Sequence, residues 1–134
     1  MWIYKNNPVD SLEDMPKDAI GFVYEITNKE DGTKYIGKKI LTSHRTLPPL
    51  KGKKRKRKVI KESNWKTYYG SNDVIKDLVK SGKSDIFDRE ILEYAYSKVQ
   101  LTYLETKYQF LREVLEKDEY LNINILGKFF KGKV

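Results

Sequence analysis

Two short runs of β-branched and aromatic residues, GFVYEIT from Gly21 and TKYIGKK from Thr33, stand on either side of NKEDG. Strand-like segments separated by a turn containing Asp-Gly predict an antiparallel hairpin, because that dipeptide takes the backbone angles a tight reversal needs. A hairpin this early obliges later segments to supply a cover for its apolar face. The candidates are visible downstream. Ser71, Asn72 or Asp73 can cap a helix through VIKDLVKSG, with Val74, Ile75, Leu78 and Val79 on one face and Gly82 as its stop. DIFDREILEYA has the apolar content of a third strand. From Lys98 to Lys117, Leu101, Leu104, Tyr108, Leu111 and Leu115 recur at spacings of three and four, the pattern of an amphipathic helix. The expected class is α+β, a small three-stranded sheet flanked by helices.

The remaining segments are read less regularly. Residues 1–19 are polar and broken by Pro8 and Pro16, an irregular lead-in strapped to the domain by Trp2, Ile3 and Tyr4. Residues 40–47 are expected to begin a short helix that Pro48 and Pro49 end. The tail after Tyr120 is expected to wrap back over the sheet through Ile123, Ile125, Phe129 and Phe130, with a basic end at 127–134. At 134 residues the chain fits one domain.

Charge narrows the function. The formal net charge is +8, a balance that draws a protein toward polyanions. The charge concentrates at 51–61, where every residue from Lys53 to Lys58 is positive. Mutual repulsion predicts an exposed loop there. Lys51, Lys53, Lys54, Arg55, Lys56, Arg57, Lys58 and Lys61 are its candidate DNA contacts, holding phosphates without reading sequence. A targeting or solubilising patch is the plainer alternative. The absence of cysteine excludes disulfides, thiolate zinc sites and cysteine nucleophiles. No apolar run approaches the ~20 residues of a membrane helix. Met1 to Asp18 lacks an apolar signal core, so a cytoplasmic setting is expected.

Several side chains are candidates for chemistry. Tyr24 and Tyr35 lie eleven residues apart on opposite arms of the hairpin, so they approach in space. They are either ordinary strand aromatics or phenols that move a proton, and the second role needs a cation to lower a pKa near 10. Arg45 offers a planar fork to phosphate oxygens. His44, the only histidine, is either solvated or an acid for a leaving oxygen. Glu105 follows the core position Leu104, so it sits at the edge of the helix's apolar face. It is either a rim residue pairing with Lys98 or Arg112, or a metal ligand, since magnesium needs only one or two carboxylates.

Taken together, FVY at 22–24, YIG at 35–37, Arg45 eight residues after Gly37, and Glu105 in a late helix resemble the GIY-YIG nuclease family. WKTYYGS at 65–71 is similar to a segment of small phage-encoded freestanding members that cut DNA. The resemblance spans 20–126, which would make that stretch the catalytic domain, with 51–61 as a basic insertion.

The resemblance implies an antiparallel three-stranded sheet with helices. It implies a metal-dependent endonuclease that cuts DNA, expected to be double-stranded, through tyrosine-assisted attack of water. Glu105 would hold Mg2+, with Mn2+ as a substitute. Tyr24 would be the general base, Tyr35 would orient water or phosphate, Arg45 would steady the phosphate, and Asn122 would support the site. A phage-encoded chain would act in the host cytoplasm.

The sequence departs from the family at two places. Phe22-Val23 replaces Gly-Ile in the first motif, and Pro49 stands where many members carry a histidine. His44, Lys38 or Lys39 would have to fill that histidine's role. The alternatives are a non-catalytic nucleic-acid binding module that keeps the fold, and an interaction protein docking on an acidic partner.

Overall fold

The computed structural model describes the backbone of residues 1–134 and every side chain except those of His44 and Arg45. The expected hairpin is present. Strands β3 (Gly21–Asn28) and β4 (Lys34–Ile40) pair antiparallel, with Tyr24 opposite Gly37 and Ile26 opposite Tyr35. Gly32, at φ +77, supplies the left-handed residue of the reversal. The third strand also forms (Phe87–Ala95) and pairs antiparallel with β3 on its other side.

The sheet is larger than the three strands expected. The lead-in contains two further strands, β1 (Trp2–Tyr4) and β2 (Asn7–Val9), joined through the left-handed pair Lys5 and Asn6. Pro8 sits in β2, the outermost strand, where a missing N–H costs no ladder bond. Numbered in chain order, β5 (Thr42–Leu47) and β6 (Arg57–Glu62) precede α1 (Asp73–Lys80), β7 is the Phe87–Ala95 strand, and α2 is Lys98–Leu111. The main sheet runs β2-β1-β7-β3-β4, and β1 is parallel to β7. Composition hid the first two strands. What fixes them is Trp2, 1% exposed, whose indole N–H donates to the Trp65 carbonyl at 2.7 Å.

The sheet is buried on both faces, each by a separate core. On one face Phe22, Tyr24 and Ile26 pack with Trp2, Trp65 and Ile75 of α1. On the other, Val23 and Ile36 pack with Leu101 and Leu104 of α2 and with Val114. Both helices were legible. Asn72 caps α1 by accepting from the Val74 and Ile75 amides, and Ser97 caps α2 by accepting from Gln100. The second helix is shorter than its periodicity, ending at Leu111 with Glu113 at φ +53. Leu115 stays buried from the turn beyond it. The tail ends in a small hairpin, β8 (Asn124–Ile125) with β9 (Phe129–Phe130); Ile125 is buried but both phenylalanines remain partly exposed.

The segment after β4 overturns the expectation most clearly. Residues 42–47 are a strand, not a helix, and the charged stretch is not wholly a loop. Strands β5 and β6 form a separate antiparallel ribbon, with 48–56 as its connection. Its register explains why repulsion does not prevent pairing. The basic strand faces a weakly charged one, with Lys61 opposite Ser43, Lys58 opposite Thr46 and Arg57 opposite Leu47. Among the described residues, no helix is long and apolar enough to cross a membrane.

Candidate active site

β4 is an edge strand of the main sheet, and the chemistry-bearing side chains gather there. Tyr24 reaches this edge because its cross-strand neighbour has no side chain. A Cβ on Gly37 would stand 2.7 Å from Tyr24 Cζ and closer still to the hydroxyl. Gly70, at φ +89, borders the same hydroxyl at 3.3 Å from where its own Cβ would lie. Two glycines therefore clear the space occupied by the phenol. A register shift between Val23 and Tyr24 in the pairing with β7 adds a bulge beside it, a device that re-aims side chains.

Tyr35 lies two residues before Gly37 on the same face, its ring centroid 6.4 Å from that of Tyr24. Its hydroxyl stands 3.0 Å from Ser71 Oγ. Glu105 approaches from the other face, on α2, half-buried between the core positions Leu104 and Gln109. Its charge is nonetheless felt by both phenols, pushing each upward. Tyr35 and Glu105 thus meet across the strand edge, with Tyr24 buried behind Tyr35. Tyr35, Lys38, Thr102, Glu105 and Asn122 line one cleft of about 580 Å³.

Among the described residues, this cluster is short of positive charge. Burial pushes Tyr24 well above the ordinary phenol range, and Tyr68, Tyr35 and Glu105 push the same way. Burial also raises Tyr35 and Glu105; Ser71 opposes the rise at Tyr35, and the Lys38 ammonium and backbone N–H oppose it at Glu105. The alternative of Glu105 as a rim residue paired with Arg112 is not what forms. Arg112 instead donates to Glu25 at 3.0 Å, and Glu25 also accepts from Tyr120 at 2.9 Å. Tyr120 is pushed up to about 12 by burial and then by Glu25. Lys98 is not in an ion pair with Glu105 either, among the described residues.

Such a donor set fits a hard divalent cation. It offers one desolvated carboxylate without a salt-bridge partner among the described residues, flanked by hydroxyl oxygens in an open cleft, and magnesium keeps several waters beside one or two carboxylates. Among the described residues no group of three or more acidic or imidazole side chains competes as a metal site.

Asn122 is buried and does something specific. Its Oδ1 accepts from the Ile36 N–H at 3.1 Å and its Nδ2 donates to the Ile36 carbonyl at 2.8 Å. The side-chain amide therefore stands in for a neighbouring strand and satisfies the edge of β4 between Tyr35 and Gly37. Gln109 adds a second donor to the same carbonyl. The backbones of His44 and Arg45 lie in β5, opposite Ile60 and Val59, and their side chains lie outside the described residues. Lys51, Lys53, Lys54, Arg55 and Lys56 fall in the connection and Arg57, Lys58 and Lys61 in β6, all exposed.

Two further residues, Tyr68 and Arg89, were not singled out from the sequence, and Lys39 joins them. The Tyr68 ring stands 6.0 Å from that of Tyr24 and nearly perpendicular to it, and Tyr68 pushes the Tyr24 phenol upward. The Lys39 ammonium sits 4.1 Å over the Tyr68 ring and donates to Asn64 Oδ1 at 2.6 Å. Arg89 is buried between Trp2 and Tyr69 and donates to the Lys66 and Tyr68 carbonyls, both at 2.9 Å. It pins the segment that carries Tyr68 and Gly70. The glycine after two tyrosines was a signal for Tyr68; for Arg89, buried without a carboxylate, the sequence offered none.

The fold and cleft define a class: an α+β domain presenting phenols and a carboxylate at a sheet edge beside a basic ribbon. Comparison with protein families matches residues 2–125 to the family described as "Putative endonuclease segE, GIY-YIG domain". The chain belongs to this family. No curated protein matches, and no solved structure does.

Proposed function

We propose that this protein is a metal-dependent DNA endonuclease that hydrolyses phosphodiester bonds at the β4 edge. One observation carries the reading: Tyr35 and Glu105 come from a strand and a helix on opposite faces yet line one cleft, and Tyr24 lies buried behind Tyr35 with its ring centroid 6.4 Å away. Ordinary strand packing does not need two glycines to admit a phenol to an edge.

Glu105 would hold the divalent ion, Mg2+ with Mn2+ as a substitute, and such an ion when bound supplies positive charge to the phosphoryl and leaving oxygens. Tyr24 accepts a proton from the attacking water, in contact with Tyr68. It needs local positive charge to do so, and Lys38 and Lys39 lie on the strand that carries its glycine neighbour. Tyr35, braced by Ser71, orients the water or the phosphate. Arg45 is assigned a phosphate oxygen. Asn122 acts by holding the Ile36 peptide, and so the register of Tyr35 and Gly37. One water is consumed, and the proton it loses is restored overall to the leaving 3′ oxygen. The products are a 5′ phosphate and a 3′ hydroxyl.

Replacing Glu105 with Ala should leave folding and DNA binding nearly intact and reduce cleavage by about 10³-fold or more, because the charge balance of the transition state is lost. Plasmid nicking titrated with Mg2+ measures this. Unchanged nicking by the variant sinks the assignment. Binding without nicking by the unaltered chain would instead leave a nucleic-acid binding module.

A further inference from the structure

The ribbon of β5 and β6 stands apart from both cores. It pairs with no strand of the main sheet and so presents two unpaired edges. Six residues per strand make it roughly 20 Å long, with strands about 4.8 Å apart. Register distributes its side chains over two faces. One carries Arg57, Val59 and Lys61; the other carries Lys58, Ile60 and Glu62. The connection adds Lys51, Lys53, Lys54, Arg55 and Lys56 at the tip. Positive charge therefore concentrates at the tip and on the Arg57–Lys61 face, while on the other face Lys58 is offset by Glu62. A free ribbon with its cations at the tip and along one face can enter a groove tip first, where phosphates flank it.

Ile60 gives a second, independent indication. It is 67% exposed in the middle of this cationic strand, an apolar side chain left largely open to solvent. Thymine methyl groups are apolar and lie in the major groove, as do the base edges that specify sequence. That groove is about 12 Å wide and admits a two-stranded ribbon, whereas the minor groove, at about 6 Å, is too narrow.

The ribbon is also continuous with the cleft. Lys39, which lies over Tyr68, lines a second cleft of about 600 Å³ at the ribbon's base together with Ser43, Lys61 and Asn64. Tyr68 in turn meets Tyr24.

From these observations we propose that the β5–β6 ribbon lies in the major groove of duplex DNA and aligns the backbone with the β4 edge. The proposal rests on the endonuclease reading for the cleavage step, but not for binding itself.

The test uses the full chain with a chelator, so that binding is read without cutting. Its affinity is measured for a duplex of about 16 base pairs containing A·T runs, for the same duplex with bulky C5 substituents on the pyrimidines, for the duplex occupied by a minor-groove ligand, and for duplex RNA. Major-groove bulk should weaken binding about tenfold or more, and minor-groove occupation less than about twofold. Duplex RNA, whose major groove side chains cannot enter, should bind about tenfold more weakly or worse. Equal loss in both grooves, loss confined to the minor groove, or RNA bound as well as DNA overturns the proposal. Plasmid nicking with Mg2+ is scored separately. Nicking without groove preference refutes the ribbon and keeps the nuclease, and groove preference without nicking does the reverse.

Discussion

The edge of β4 and the neighbouring ribbon differ in almost every physical respect, although one residue, Leu41, separates their strands. The edge site is held from both faces. Tyr24 is 1% exposed, Asn122 is 3% exposed, and the Ile36 peptide accepts or donates three hydrogen bonds from buried amide side chains. The ribbon is held by its own ladder and by its base, where the Ser63 N–H donates to Leu41 and the Leu41 N–H to Ile20. A two-stranded ribbon alone is marginal in water. Positioning chemistry demands the first kind of construction, since small misplacement costs large factors in rate. Tracking a flexible polyanion tolerates the second. The lesson is that precision and charge have been placed on different elements and joined through Lys39 and Tyr68.

This division can be broken most sharply at Gly37. A Gly37→Ala methyl meets the Tyr24 ring, so we expect a stability loss of about 1–3 kcal/mol by denaturant unfolding. Cleavage should fall about 10²-fold through displacement of the phenol. DNA affinity should stay within about twofold, because the ribbon shares no partner with that methyl. A large affinity loss would show that the two regions are one unit.

The converse change neutralises Lys53, Lys56 and Lys58 together. The slope of log affinity against log salt should flatten by about 2 to 3 units. An unaltered slope would place the DNA elsewhere. The maximal rate should fall less than for Gly37→Ala, because the ribbon aligns the backbone but holds no reacting group.

The smallest effect on chemistry is expected at Glu25→Gln. Arg112 loses its ionic partner and the Tyr120 hydroxyl loses a charged acceptor, at a cost of about 1–3 kcal/mol. The rate per folded molecule should not change, since Glu25 does not line the cleft. A rate defect in folded protein would extend the site beneath α2.

Much of this architecture was legible in the sequence. The hairpin, the cap region of α1, the third strand and the position of Glu105 at the rim of a helix came from periodicity and turn chemistry. The lead-in strands were not legible, because three-residue segments are too short to show alternation and the second contains Asn and Pro; the burial of Trp2 fixes them. The ribbon was misread for a physical reason. Like charge along one strand looked prohibitive, but a sheet sets the balance across strands, and here hydroxyl and apolar residues face the cations.

The sequence by itself determined the hairpin, the third strand, the two helices and the sign of the charge, since these depend on neighbours a few positions apart along the chain. It also supplied the phenols, the carboxylate and the small glycines. Only the tertiary structure decided that Tyr24 passes over Gly37 to the edge, that Glu105 comes round from the opposite face, and that Arg112 pairs with Glu25 instead. Those outcomes depend on which surfaces α2 and the 65–71 segment bury, and burial is settled by the whole packed domain at once.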